Sequence, residues 1–62
     1  MKIELIENLD WHTGTIPAGA VGEALSFFEA KDLRYTYTMF RAIFFGYPGI
    51  VEVGLNDIRS LL

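Results

Sequence analysis

The sequence predicts an all-β domain: a small barrel of four to five short antiparallel strands, with at most a short helical turn near the C-terminus. Three observations lead there. Short segments alternate apolar and polar residues with the period of two that a half-buried strand requires. Clusters of Gly, Pro, Asn and Asp punctuate the 62-residue chain too often for a long helix to fit between them. Aromatic and β-branched residues concentrate in one run, Tyr35 to Phe45, where they favour a pleated surface. Closure into a barrel suits so short a chain, because it removes the unpaired edges that invite aggregation.

Each element follows in turn. In Lys2–Glu7, Ile3 and Leu5 share a face with Met1 while Lys2 and Glu4 share the other, which reads as a strand. Residues 8–15 carry four turn-type residues and a glycine, and read as a loop. In Ile16-Pro17-Ala18-Gly19-Ala20-Val21-Gly22, Pro17 suits the first corner of a β-turn and Gly19 the following positive-φ position. Gly22 marks a bulge or a close backbone approach. Glu23–Glu29 is expected as a strand; a helix is the rival, since Ala, Leu and Glu are good helix formers, but Gly22 is a poor cap and Phe27-Phe28 favours β. Residues 30–34 read as the loop of a hairpin. Tyr35–Phe45 is the strongest strand, with Phe40, Ala42 and Phe44 on one face and Arg41, Ile43 and Phe45 on the other. Gly46–Gly49 is a turn and Ile50–Val53 a strand. Asn56–Leu62 reads as a helical turn capped by Asn56 or Asp57, or as a short closing strand, with Ile58 and Leu61 turned inward. The expected core is Phe40, Phe44, Val53, Ile58 and Leu61.

Composition narrows the function. There are no cysteines, so disulfides and thiolate metal sites are excluded. Eight acids against five bases give a net charge of −3. Nucleic-acid binding is therefore disfavoured, since its affinity rests on neutralising phosphate. No apolar run approaches the roughly 20 residues of a membrane helix, and no targeting segment is visible at Met1-Lys2-Ile3-Glu4. The expectation is a natural small cytoplasmic protein that does not enter a membrane.

The layout also resembles the SH3-like small-barrel superfamily. The residues that carry the resemblance are an opening strand, a long first loop, Ile16-Pro17-Ala18-Gly19-Ala20-Val21-Gly22-Glu23-Ala24, a hairpin, Phe40-Arg41-Ala42-Ile43-Phe44-Phe45-Gly46, Val51-Glu52-Val53 and Asn56–Leu62. Similar sequences occur in the stromal E subunit of photosystem I, in KOW-type modules and in short phage and bacterial proteins. The resemblance implies an SH3-like barrel with a short 3₁₀ turn before the last strand. Ala24 stands where those families usually have Val, and the basic residues of the KOW modules are missing. It carries the fold only, because small barrels host many roles.

Nothing points to catalysis. The single histidine, His12, has no nucleophile or second ligand at a meaningful spacing, so neither a catalytic residue nor a metal or other cofactor is expected. Gly14, Gly19 and Gly22 lack the Lys-Ser/Thr of a phosphate loop and serve turns instead. The notable feature is the apolar excess: nine aromatic rings are too many for the interior of one small barrel. Exposed apolar surface marks interaction sites, and Tyr and Trp anchor them. Ile43 and Phe45 are expected to face outward. In SH3-like barrels first-loop and hairpin aromatics line the ligand groove, which implies roles for Trp11, Tyr35, Tyr37 and Tyr47. The expected function is that of a non-enzymatic protein binding a protein partner, or itself as a homo-oligomer, through Trp11, Tyr35, Tyr37, Ile43, Phe45 and Tyr47. A phage or bacterial accessory or inhibitory protein is the expected setting. A small-ligand or nucleotide-binding oligomer using Trp11, Arg34 and Arg41 is the alternative. Imitation of nucleic acid by the acids, and a nucleic-acid-binding barrel, are weaker ones.

Overall fold

A computed structural model describes all 62 residues. Seven strands run β1 (Lys2–Leu5), β2 (Leu9–Trp11), β3 (Gly14–Ile16), β4 (Val21–Asp32), β5 (Tyr35–Phe44), β6 (Val51–Gly54) and β7 (Ile58–Ser60), with a 3₁₀ turn at Leu55–Asp57 between the last two. Five of them form one antiparallel sheet in the order β6-β5-β4-β1-β7, and β2 and β3 form a separate hairpin. The protein is thus mostly antiparallel β with no α-helix, as the periodicity requires.

The sheet is not closed into a barrel. Its outermost strands, β6 and β7, follow each other in sequence across the 3₁₀ turn and pair inward, with β5 and β1, rather than with each other. Both are short, four and three residues, so each leaves little unpaired backbone and closure has little to gain. The last segment therefore contains both a helical turn and a strand. Its cap is Gly54, with no side-chain hydrogen bond from Asn56 or Asp57.

The core lies where the sheet folds over itself. Ile3 and Leu5 of β1, Ala42 and Phe44 of β5, Val51 and Val53 of β6, Ile58 of β7 and Ile16 of β3 form one buried cluster. Each of the larger side chains contributes about 1.5–3 kcal/mol by leaving water, and Ala42 less. Phe40, placed in the core by its period, is only half-buried at the rim of this cluster, and Leu61 is half-buried too. The cause is position along the chain: both stand where neighbouring strands run out.

Gly22 leaves no room for a side chain between β4 and β5. A Cβ there would overlap the Ile43 carbonyl oxygen and come within 2.8 Å of Phe44 Cδ1. It is a site of close backbone approach; the bulge itself lies two residues on, where the β4–β5 register shifts between Ala24 and Ser26.

The region read as a loop, residues 8–15, instead contains the β2–β3 hairpin. Asp10 opposes Thr15, and the Thr15 hydroxyl donates to Asp10 Oδ1 at 2.8 Å across the pair. Leu9 and Trp11 pack against the core from here, so the polar residues that suggested a loop are only the outer side of a very short ribbon. The next turn is offset by one residue from expectation. The Ala20 amide donates to the Pro17 carbonyl at 3.1 Å, making Pro17 the first residue of the turn and not its first corner. Gly19, two residues on, has the positive φ (91°) that a type II turn needs.

Candidate functional site

The β4–β5 hairpin is far longer than its sequence signals. Expected to break at residue 30, β4 runs on to Asp32, and only Leu33 and Arg34 form the turn. The pairing continues without a break from Ser26↔Arg41 to Asp32↔Tyr35. Cross-strand aromatic and β-branched pairs favour this continuation, since directly opposed side chains are the stabilising unit of a sheet. Beyond its root the hairpin leaves its neighbours behind. The β1 pairing ends at Lys2↔Glu23, and the β6 pairing ends at Met39↔Gly54. What projects is a two-stranded ribbon.

This ribbon carries the exposed apolar excess. Only one of the nine aromatic rings, Phe44, is buried. Phe27 (71% exposed), Leu33 (95%) and Tyr35 (75%) stand on the ribbon, with Leu25 and Tyr37 also exposed. Phe27 opposes Phe40, their ring centroids 6.3 Å apart in a tilted pair. On the opposite face the Arg41 guanidinium lies 4.3 Å above the Phe28 ring and its Nε is 3.7 Å from Glu52 Oε2. Leu33 holds a φ of 55° at the turn, a conformation that costs a β-carbon-bearing residue about 1 kcal/mol.

The six residues expected at the interface do not form one patch. Tyr35 and Tyr37 are at the ribbon tip, exposed. Phe45 and Tyr47 are also exposed but lie at the far end of β5, some ten residues and about 30 Å of strand away. Ile43 faces outward as expected, yet it is half-buried opposite Glu23. Trp11 is half-buried against the core, its ring 5.0 Å from that of His12. It is part of the packing and not an open anchor. Sequence reasoning missed Phe27 and Leu33. For Leu33 the signal was available, as an apolar residue in a polar turn; for Phe27 none was, because its strand face is the same as that of the buried Ala42 and Phe44.

The alternative ligand set is not assembled either. Trp11 sits in the first hairpin, Arg34 at the ribbon turn, and Arg41 is engaged by Phe28 and Glu52. None of the three lines either depression of the surface. The larger is an open groove between β2, the free end of β5 and the 3₁₀ turn, lined by Leu9, Thr36, Thr38, Val53, Leu55 and Asn56 among others, with Tyr37 at its side. No group of three His, Asp or Glu side chains comes together as a metal site would require. No helix is long and apolar enough to cross a membrane.

Comparison with protein families, with characterised proteins and with solved structures gives no match.

Proposed function

We propose that this protein is a non-enzymatic interaction module of SH3-like type that binds a protein partner through the projecting β4–β5 ribbon. The observation that carries the functional reading is the concentration of large exposed apolar side chains, Leu25, Phe27, Leu33, Tyr35 and Tyr37, on one element that leaves the sheet. They stand on both faces of the ribbon, Phe27 on one and Tyr35 and Tyr37 on the other, and large exposed apolar groups concentrated in this way mark interaction sites. Aromatic side chains also bind at low entropic cost, since few torsions remain to be fixed. The SH3-like assignment is supported by the strand order, by the hairpin inserted after the first strand and by the 3₁₀ turn before the last one.

Affinity capture from the source cell tests the reading. Phe27→Asp and Tyr35→Asp are expected to lose the partner retained by the wild-type chain. Phe45→Asp and Tyr47→Ala, at the other end of β5, are expected to retain it. If both ribbon variants fold and keep the partner, the ribbon is not the binding surface.

A further inference from the structure

The inner edge of the ribbon is open. After Glu23 the β4 backbone has one more bond toward β1, from the Ala24 amide to the Met1 carbonyl, and none thereafter. Residues 25–32 therefore offer eight residues of strand edge, about 26 Å long. Natural edges of this length are normally blunted by Pro, by bulges or by charged side chains. Here there is no proline, the bulge lies at the root, and the only charges before the terminal Asp32 are Glu29 and Lys31, of opposite sign. Neither of them has an ion-pair partner within the chain.

Backbone parity tells which groups point to the open edge. The Phe45 amide donates to the Val21 carbonyl, so odd-numbered residues of β5 turn their backbone groups toward β4. Past the bulge these residues oppose Ser26, Phe28, Ala30 and Asp32. The alternate residues Phe27, Glu29 and Lys31 thus present their N–H and C=O groups to the free edge, and their side chains share one face.

We infer that this edge pairs with the same edge of a second copy, antiparallel, about a two-fold axis at Ala30. The inference rests on the ribbon being the interaction surface and names its occupant. Charge selects the register. Parity limits the axis to a residue position, since open-edge residues must meet open-edge residues. An axis at Glu29 places Glu29 on the partner's Glu29, and one at Lys31 places two lysines together. An axis at Phe28 sets each Glu29 against the partner's Phe27. Only the axis at Ala30 opposes each Glu29 to the partner's Lys31 and each Lys31 to the partner's Glu29. The same register brings Phe27 beside the partner's Leu33, two of the most exposed apolar side chains of the fold. At the axis itself the small Ala30 allows close approach, and Tyr37, its cross-strand neighbour, flanks the alanine pair from each side. Phe28 falls beside the partner's Asp32, whose carboxylate stays in water at the ribbon tip. The product is a continuous four-stranded sheet, β5-β4-β4-β5, in which residues 28–32 of the two copies pair and cover that part of the open edge.

Sedimentation equilibrium on the full chain tests this with four proteins: wild type, Glu29→Lys, Lys31→Glu and the double exchange. Wild type is expected to dimerise. Each single reversal sets like charges opposite each other twice per dimer and is expected to weaken association about tenfold. The double exchange restores both pairs and is expected to return to within about threefold of wild type. Both substitutions are on exposed positions, so folding, checked by circular dichroism, is preserved. Wild type that stays monomeric at about 1 mM overturns the inference. So does a double exchange as weak as the single variants. Either result leaves the broader reading intact if Phe27→Asp still loses a captured partner, which separates failure of the self-pairing from failure of the ribbon as a binding surface.

Discussion

The two halves of the β4–β5 hairpin are built from the same kinds of residue and have opposite fates. At the root, Gly22 and Ala24 face Phe44 and Ala42, with β1 on one side and β6 on the other. Neighbours on both edges bury the inward face completely at Ala42 and Phe44. Toward the tip the same face continues as Phe27 opposite Phe40 and then Glu29 opposite Thr38; β1 has ended before Phe27 and β6 ends at Met39, so Phe27 lacks a neighbour on its own side and the Glu29–Thr38 pair lacks one on both. Phe27 is left 71% exposed. Burial here is decided by how many strands accompany a position and not by its side chain, which is why an aromatic strand supplies a core at one end and a surface at the other.

Substitutions in the two halves test this contrast. The largest effect is expected at the root: Gly22→Val drives a branched side chain into the Ile43 carbonyl and the Phe44 ring, at a cost above about 4 kcal/mol, enough to prevent folding as followed by circular dichroism. Next, Leu5→Ala removes a fully buried side chain and is expected to cost about 2–5 kcal/mol in urea unfolding. Phe27→Ala, though it deletes more atoms, should cost no more than about 1 kcal/mol, the worth of its tilted pairing with Phe40. Equal losses at Leu5 and Phe27 would show that the ribbon packs against something within the chain. At the tip, Leu33→Gly should leave stability unchanged or raise it by up to about 1 kcal/mol, because glycine relieves the positive φ while adding freedom to the unfolded chain. The smallest effect belongs to the exposed Glu4–Arg59 pair joining β1 to β7, 2.6 Å apart. Arg59→Ala is expected to cost about 0.5 kcal/mol in low salt and less in 0.5 M salt.

Much of the fold was legible in the residues. The alternation of Ile3 and Leu5, the aromatic run from Tyr35, and the Gly46–Gly49 turn all mark their elements. The chain's own turns also betray Gly19 and the close approach at Gly22. What was not legible were the ends. Residues 8–15 looked like a loop because a three-residue strand is too short to display a period, and the bonds of β2 to β3 depend on pairing alone. Lys31 and Asp32 looked like a loop because polar residues on a ribbon that faces water on both sides resemble those of a turn. The candidate site was legible in part. That apolar residues exceed the interior follows from counting rings. Which of them stay outside does not: Trp11 packs on the core, while Phe27 and Leu33 emerge.

By itself the sequence determined that the chain is β-structured, without thiol chemistry, and richer in aromatic side chains than so small an interior can hold. Those are consequences of local period, composition and volume, which each segment carries wherever it sits. Only the tertiary structure decided that the sheet stays open, that its longest strand pair outruns its neighbours, and that Glu29 and Lys31 lie unpaired along the free edge. These depend on where other strands stop, and the length of a neighbour is written in a different part of the chain.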